Sequence, residues 1–217
     1  MNVAIVIPAY NEAATISEVV EQVRGAGTVI VVDDASSDDT ADLAVKAGAI
    51  VVSHESNRGY DKALQSGFEK ADQLDVDAVI TFDADGQHDP AVLNTFIENI
   101  KVPGVVIVLG IRSAPARVAE AVFNYWAQSR FGVRDILCGL KGYNIELYRQ
   151  HGCFDRSGSI GTELALAGLG SGCKFSTVSV PIRERVGRAR FGSFLRANFW
   201  ILRAFIKAVW AHRKYLN

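Results

Sequence analysis

Two carboxylates one residue apart, Asp83 and Asp85, follow the apolar run Ala78–Phe82 and precede Gly86, Gln87 and His88. At a strand end such a pair can reach one divalent cation, with Gln87 or His88 completing the shell. Hard oxygen ligands select Mg²⁺ or Mn²⁺. Alone, most Asp-x-Asp pairs are solvated turns, so position has to decide. A second acidic cluster, Asp33 to Thr40, follows the run Thr28–Val32. Asp38, Asp39 and Thr40 read as the start of a helix, with Ser37 or Asp38 as its cap. Asp33 and Asp34 lie before that turn. A buried carboxylate there can accept a hydrogen bond from the imide N–H of a nucleobase. The cations lie elsewhere. Residues 1–101 hold 18 Asp/Glu against 6 Lys/Arg, and residues 102–217 hold 6 against 17, so the halves carry −12 and +11. This division suits a metal in the first half and anionic partners in the second.

The elements that must position these groups follow from periodicity. Val3–Ile7, Thr28–Val32, Ile50–Ser53, Ala78–Phe82 and Val105–Leu109 read as buried strands. Glu12–Val23, Asp39–Ala47, Lys62–Ala71 and Pro90–Ile100 read as the helices between them. Such alternation implies a mostly parallel sheet with right-handed crossovers. Ligands of these sheets sit beyond the carboxyl ends of the strands. Those ends carry Pro8 to Glu12, Asp33-Asp34, Asn57-Arg58-Gly59 and Asp83-Ala84-Asp85. Further on, residues 117–131, Thr162–Leu169 and Phe194–Lys214 read as helices and Phe175–Pro181 as a strand, while Asp135–Asn144 is Gly-punctuated and irregular. The 217 residues suit one α/β domain, and 49% hydrophobic with 22% charged residues excludes disorder and coiled coil. No CxxC or CxxH spacing joins Cys138, Cys153 and Cys173, so neither a zinc site nor a disulfide framework is expected, in keeping with a reducing compartment. The first residues lack a basic region before their apolar run and are not expected to be a signal peptide. The longest uncharged apolar runs, Val102–Ile111 and Ala197–Leu202, are far short of the ~18 residues of a spanning helix.

VIPAYNE (6–12), VVDDASSDDT (31–40), NRGYDKAL (57–64) and FDADGQHDP (82–90) occur in that order. Together they closely resemble family 2 glycosyltransferases of the GT-A fold, with the polyprenyl (dolichyl) phosphate sugar synthases nearest. The resemblance runs from residue 3 to residue 191. It implies that Pro8, Ala9, Tyr10 and Glu12 line a nucleotide pocket with Asp34, and that Asn57 and Gly59 form a turn beside it. It also implies that Asp83, Asp85 and Gln87 hold the metal and sugar diphosphate. Where some members place Lys directly after the glycine, this chain has Tyr60-Asp61-Lys62. Through Asn-Arg-Gly-Tyr the resemblance also implies a UDP-hexose, rather than GDP-mannose, as the expected donor.

The chemistry implied is attack at an anomeric carbon with inversion. A metal-bound nucleotide diphosphate leaves. A hydroxyl acceptor requires a general base. A phosphate monoester, with a second pKa of ~6, is already anionic and requires cations instead. Arg112 and Arg117 resemble the acceptor-phosphate arginines of the dolichyl phosphate mannose synthases. Asp135 to Tyr143 resembles the family's Asp-x-x-Ser-Gly-Phe-Arg-x-Tyr, with Cys138 for Ser and Lys141 for Arg. Glu163 matches an acidic position near the acceptor, and is the one candidate base should the acceptor be a glycan or other hydroxyl. Arg185 and Arg190 match a basic loop that closes over the diphosphate. A non-catalytic nucleotide-sugar-binding domain is a third reading, opposed by the intact Asp83 and Asp85. Nucleic acid is not an expected partner, since the basic surface lacks a recognised module.

Residues 192–217 are set apart as an amphipathic helix. At 100° per residue Arg196, Arg203, Lys207 and Lys214 fall within about 20° of one direction. Phe199, Trp200, Ile201, Leu202, Phe205, Ile206, Val209 and Trp210 spread over the remainder. The helix either packs on the core with one wet stripe or lies in a lipid headgroup region. The expectation is a cytoplasmic protein, peripheral on the cytoplasmic face of the membrane and assisted by homo-oligomerisation. Of His54, His88, His151 and His212 only His88 is near the expected site, while Cys153 and Cys173 read as structural.

Overall fold

A computed structural model describes residues 1–113, 117–181 and 194–211, with side chains at 198–210 in the last segment. The chain runs β1 (Val3–Ala9), α1 (Ile16–Val23), β2 (Thr28–Asp33), α2 (Thr40–Lys46), β3 (Ile50–Ser53), α3 (Tyr60–Gln73), β4 (Ala78–Thr81) and α4 (Val92–Ile100). It continues through β5 (Val105–Ile111), α5 (Val118–Phe131), β6 (Lys141–Asn144), α6 (Ile145–His151), α7 (Glu163–Gly170), β7 (Lys174–Ser179) and α8 (Phe194–Ala211).

The seven strands form one sheet in the order β3-β2-β1-β4-β6-β5-β7. β1, β2, β3 and β4 are mutually parallel, as are β5 and β7, and β6 runs antiparallel between β4 and β5. This is the expected mixed α/β sheet flanked by helices. All seven β1 residues are buried because both faces of the sheet are covered. Val3, Ile5 and Ile7 pack with Ile16, Val19, Val20 and Val23 of α1 and with α4. Ala4 and Val6 pack with Ala63, Leu64 and Phe68 of α3. The 3.6-residue period places each helix, since the buried positions of α1 recur at i, i+3, i+4 and i+7. Gly67 lets α3 lie close, because a Cβ there would sit 2.2 Å from Val6 Cγ1.

Two elements depart from the sequence expectation. The irregular stretch Asp135–Asn144 ends in a strand, β6, and α6 follows it directly. β6 reads Lys-Gly-Tyr-Asn and has no apolar run to announce it. It forms because β4 and β5 leave a gap that its backbone bridges on both edges. α8 packs on α5, where Phe205 meets Phe123 and Trp126 at centroid distances of 5.1 and 5.7 Å and Ala119 N donates to Asn198 Oδ1. The boundary expected between residues 191 and 192 lies outside the described residues, as do Arg185, Arg190, His212 and Lys214.

Candidate active site

The carboxyl ends of β1, β2 and β4 lie side by side, and the candidates sit at the strand ends or in the turns that follow them. Pro8 and Ala9 are buried at the end of β1, and Tyr10 is exposed beyond it. Asn11 takes a left-handed backbone (φ 54) that turns the chain into α1. Its Oδ1 accepts from Ser37 N at 2.8 Å, and its N–H donates to Ser36 Oγ at 2.9 Å, so the β1 and β2 turns are sewn together. Glu12 is buried beside them, its N–H donating to Thr40 Oγ1.

Asp34 is the hub of this side. It is 4% exposed, and its Oδ1 accepts from Arg58 N at 2.8 Å and lies 2.7 Å from His54 Nδ1. Its Oδ2 accepts from Gly59 N at 2.7 Å. Asp34 thus shapes the Asn57-Arg58-Gly59 turn, and Gly59 (φ 87) is the residue that lets that turn enter α3. His54, read from the sequence as merely scattered, links Asp34 to Ser66 of α3 through Nε2 at 2.9 Å. Asp33 Oδ2 accepts from Ser36 N, and Asp33 Oδ1 is buried without a partner among the described residues.

Asp83 and Asp85 follow β4. Asp83 is partly exposed, and Asp85 is buried with its Oδ1 accepting from Gln87 N at 3.1 Å. His88 Nε2 lies 3.0 Å from Asp83 Oδ2, which assigns the ring a role in orienting that carboxylate. Gly139 closes the other side, and a Cβ there would fall 2.5 Å from Asp83 Oδ2. The turn carrying Gly139 is tied to β4 by Thr81 Oγ1, which donates to Gly139 O at 2.6 Å and accepts from Lys141 N. Two carboxylates and the Gln87 amide supply oxygen donors that suit Mg²⁺ or Mn²⁺.

The cations of the second half sit differently from expectation. Arg112 was expected to present its fork to an acceptor phosphate. Its Nε and Nη2 instead donate to Asp135 Oδ2 and Oδ1 at 2.7 and 2.9 Å, and Nη2 also reaches Glu120 at 3.1 Å. Burial works against the Arg112 charge, but Asp135 more than reverses this and raises its pKa. Burial likewise opposes ionisation of Asp135, and Arg112 outweighs it, holding the carboxyl below its ordinary range. Arg117 pairs with Glu120 at 3.1 Å. Lys141 is buried, with Nζ donating to Gly161 O at 3.0 Å, and burial lowers its pKa. Burial, reinforced by Asp135, pushes the Cys138 thiol up to about 12, so it remains neutral where the resembling motif has Ser.

Glu163 begins α7 and is fully engaged. Its Oε2 accepts from Arg156 N at 2.9 Å and Ser157 N at 2.8 Å, while Oε1 lies 3.3 Å from His151 Nε2 and 3.6 Å from Cys153 Sγ. Burial favours its neutral form, but the His151 bond and the two backbone amides prevail and hold it far below the usual carboxylate range. It is a poor proton acceptor. Asp61 behaves in the opposite way. Burial, and then the neighbouring Asp155, push it up to about 7 against backbone hydrogen bonds from Gly161 and Ile160. Its Oδ1 is closed to solvent. The sequence hinted at Asp61 only through its place in the NRGYDKAL segment.

The family model for glycosyl transferase family 2 matches residues 4–160. The chain belongs to that family. This family 2 chain is 27% identical over 205 residues to a dolichyl-phosphate hexose transferase of Haloferax volcanii, covering 89% of this chain and 88% of that one. It is 32% identical over 127 residues to a UDP-N-acetylglucosamine–dolichyl-phosphate N-acetylglucosaminyltransferase of Methanococcus voltae, covering 50% of this chain and 51% of the relative. The chain spans about half the length of several curated relatives it matches. Among solved structures, glucosyl-3-phosphoglycerate synthase of Mycobacterium tuberculosis, in complex with Mn²⁺, UDP and glucosyl-3-phosphoglycerate, superposes with a TM-score of 0.74 at 22% identity, covering 97% of this chain and 79% of that chain. The family 2 chain has the GT-A fold.

Proposed function

We propose that the chain is an inverting, metal-dependent glycosyltransferase moving a hexose from a nucleotide-diphosphate sugar, a UDP-hexose in preference to GDP-mannose, to a polyprenyl phosphate. The state of Glu163 carries the acceptor half of this reading. A hydroxyl acceptor must lose a proton as it attacks. Glu163, the acid the sequence offers for that task, is committed to Arg156, Ser157, His151 and Cys153 and held ionised. Asp61, which titrates near neutrality, is sealed against Asp155 and the 160–161 backbone. An acceptor that arrives already ionised, a phosphate monoester, removes the need for either.

On the donor side, Asp83, Asp85 and Gln87 are assigned to the cation. Bound there, Mg²⁺ or Mn²⁺ supplies Lewis-acid stabilisation of the departing diphosphate. His88 and Gly139 fix where Asp83 points. Pro8, Ala9, Tyr10 and Glu12 flank the nucleotide, and Asp34 holds the Asn57–Gly59 turn against it or meets the base edge directly. The acceptor oxygen attacks the anomeric carbon, and the bond to the diphosphate breaks with its electron pair on the leaving group. Arg117, with Arg185 and Arg190, is assigned to the phosphates. Arg112 braces Asp135 and Glu120 behind them.

A lipid acceptor requires a membrane face. The α8 residues Phe199, Leu202, Ile206 and Trp210 form an exposed stripe, and Val118, Val122 and Tyr125 of the adjoining α5 extend it. Trp200 stacks under Arg203 at 5.0 Å. The opposite α8 stripe, Ile201, Ala204 and Ala208, is buried. The helix therefore has one packed face and one apolar face turned outward, which supports peripheral attachment at the headgroup level. No helix among the described residues is long and apolar enough to cross a membrane. A donor screen with and without a short polyprenyl phosphate, read as released nucleotide, tests the proposal. Acceptor-dependent release is expected, and release that ignores the acceptor contradicts it.

A further inference from the structure

The group His151, Cys153 and Glu163 lies apart from the Asp83/Asp85 pair and offers a different donor set. Their ligating atoms all lie within 4.8 Å of one another. Two of the three separations can be compared with a tetrahedral zinc site. Bonds of about 2.05 Å to nitrogen, 2.1 Å to oxygen and 2.3 Å to sulfur require edges of about 3.4 Å for N···O and about 3.6 Å for S···O. The observed distances from Glu163 Oε1 are 3.3 Å to His151 Nε2 and 3.6 Å to Cys153 Sγ. The third edge, between His151 and Cys153, lies within 4.8 Å, and the His151 side chain is 22% exposed at the end of its helix. We propose that His151, Cys153 and Glu163 bind one zinc ion, with a water in the fourth position.

The surroundings suit a ligand set. The amides of Arg156 and Ser157 hold Glu163 Oε2 and leave Oε1 directed at the other two ligands, the kind of outer support that fixes metal-binding carboxylates. Gly152 (φ 78) ends α6 in the left-handed region and brings Cys153 back beside His151. Imidazole with thiolate selects a softer ion than the oxygen donors of Asp83 and Asp85. The sequence expectation of no zinc site rested on CxxC and CxxH spacings. The present ligands follow His-x-Cys with a distant Glu, which only the fold brings together.

The ion would staple the ends of the 152–162 loop, and that loop backs the donor site. Gly161 O receives Lys141 Nζ, and the Ile160 and Gly161 amides hold Asp61 next to Tyr60. Ile160 sits at φ 56, where a β-branched residue is strained and must be held from outside. Binding replaces the Cys153 S–H bond by a zinc–sulfur bond and releases one proton to solvent.

The test uses the full chain stripped with a chelator and returned to excess Mg²⁺, which occupies the oxygen site. Zn²⁺ alone is then titrated against a chromophoric chelator, and Co²⁺ is added in parallel for its thiolate charge-transfer band. The expected result is one tightly held equivalent per chain and a cobalt–thiolate band. His151→Ala and Cys153→Ser should each weaken retention at least tenfold, Cys153→Ser should abolish the band, and Asp85→Asn should leave zinc retention unchanged. The wild-type cobalt band stands as a readout even if a variant fails to fold. Absence of a held equivalent in the wild type, or equal retention by both folded variants, overturns the proposal.

Discussion

The ends of β4 and β5 both carry conspicuous charge, yet the two regions are wired in opposite ways. Beyond β4, Asp83 is partly exposed, beside the His88 imidazole at 3.0 Å and the open side of Gly139. Beyond β5, Arg112 is bound along two atoms of its fork by Asp135, a residue 23 positions away, and Asn124 also donates to Asp135 at 3.2 Å. One arrangement leaves a carboxylate partly open to solvent. The other neutralises charge internally. Residue type and motif position reveal that a charge is present, and the pairing that spends or spares it is set by long-range packing.

Substitutions should separate these regions. The largest effect is expected at Asp85→Asn, which should lower kcat by about 100-fold or more, since a Lewis acid stabilises the leaving group by several kcal/mol. Its urea midpoint should stay close to wild type. Asp135→Asn should do the reverse of this pattern. It leaves Arg112 and Glu120 with a broken, mostly buried network and should cost about 3 kcal/mol in urea denaturation. Comparable stability losses at both positions would erase the distinction drawn here.

Asp61 sharpens the comparison through pH. Its folded pKa of about 7 lies above the ordinary aspartate value of 3.8, so between these values the folded chain holds a proton that the unfolded chain has lost. Stability therefore falls as pH rises through that window, and the loss is complete above about pH 7. Asp61→Asn should flatten that decline, raising Tm at about pH 8 while changing it little at about pH 4. An unchanged pH profile would place the Asp61 carboxyl in water. The smallest effect belongs to Tyr143→Phe. The Tyr143 hydroxyl is buried without a hydrogen-bond partner among the described residues. Removing it should leave thermal stability equal or slightly higher, by up to about 1 kcal/mol.

The legibility of the chain divides along the same line. β1 to β4 were readable because each is a short β-rich run, three of them followed by or containing Pro or Asp at the end, and the intervening helices repeat apolar residues at helical spacing. Asp83 and Asp85 stood out because a short motif at a strand end is a local signal. β6 was not, since Lys-Gly-Tyr-Asn acquires its strand identity only from two neighbours already in place. For the same reason the resemblance could assign Arg112 to an acceptor phosphate, and Glu163 as the candidate base for a hydroxyl acceptor, without showing what each contacts. Their partners, Asp135 in one case and His151 with the 156–157 backbone in the other, are contacts of the folded chain. α8 gave its amphipathic composition in advance, and the packed stripe of Ile201, Ala204 and Ala208 emerged with α5.

The central claim is that the acceptor arrives ionised, because Glu163 is already committed as a carboxylate. It is tested most directly by a matched pair of acceptors, a short polyprenyl phosphate and the corresponding polyprenol, presented with the same UDP-hexose and Mg²⁺ or Mn²⁺. Released UDP is measured for each at several pH values. The account predicts release with the phosphate alone, at a rate that rises with ionisation of the phosphate near its pKa of ~6 and then levels. Comparable release with the polyprenol would contradict it and require a base that Glu163, as placed, does not provide.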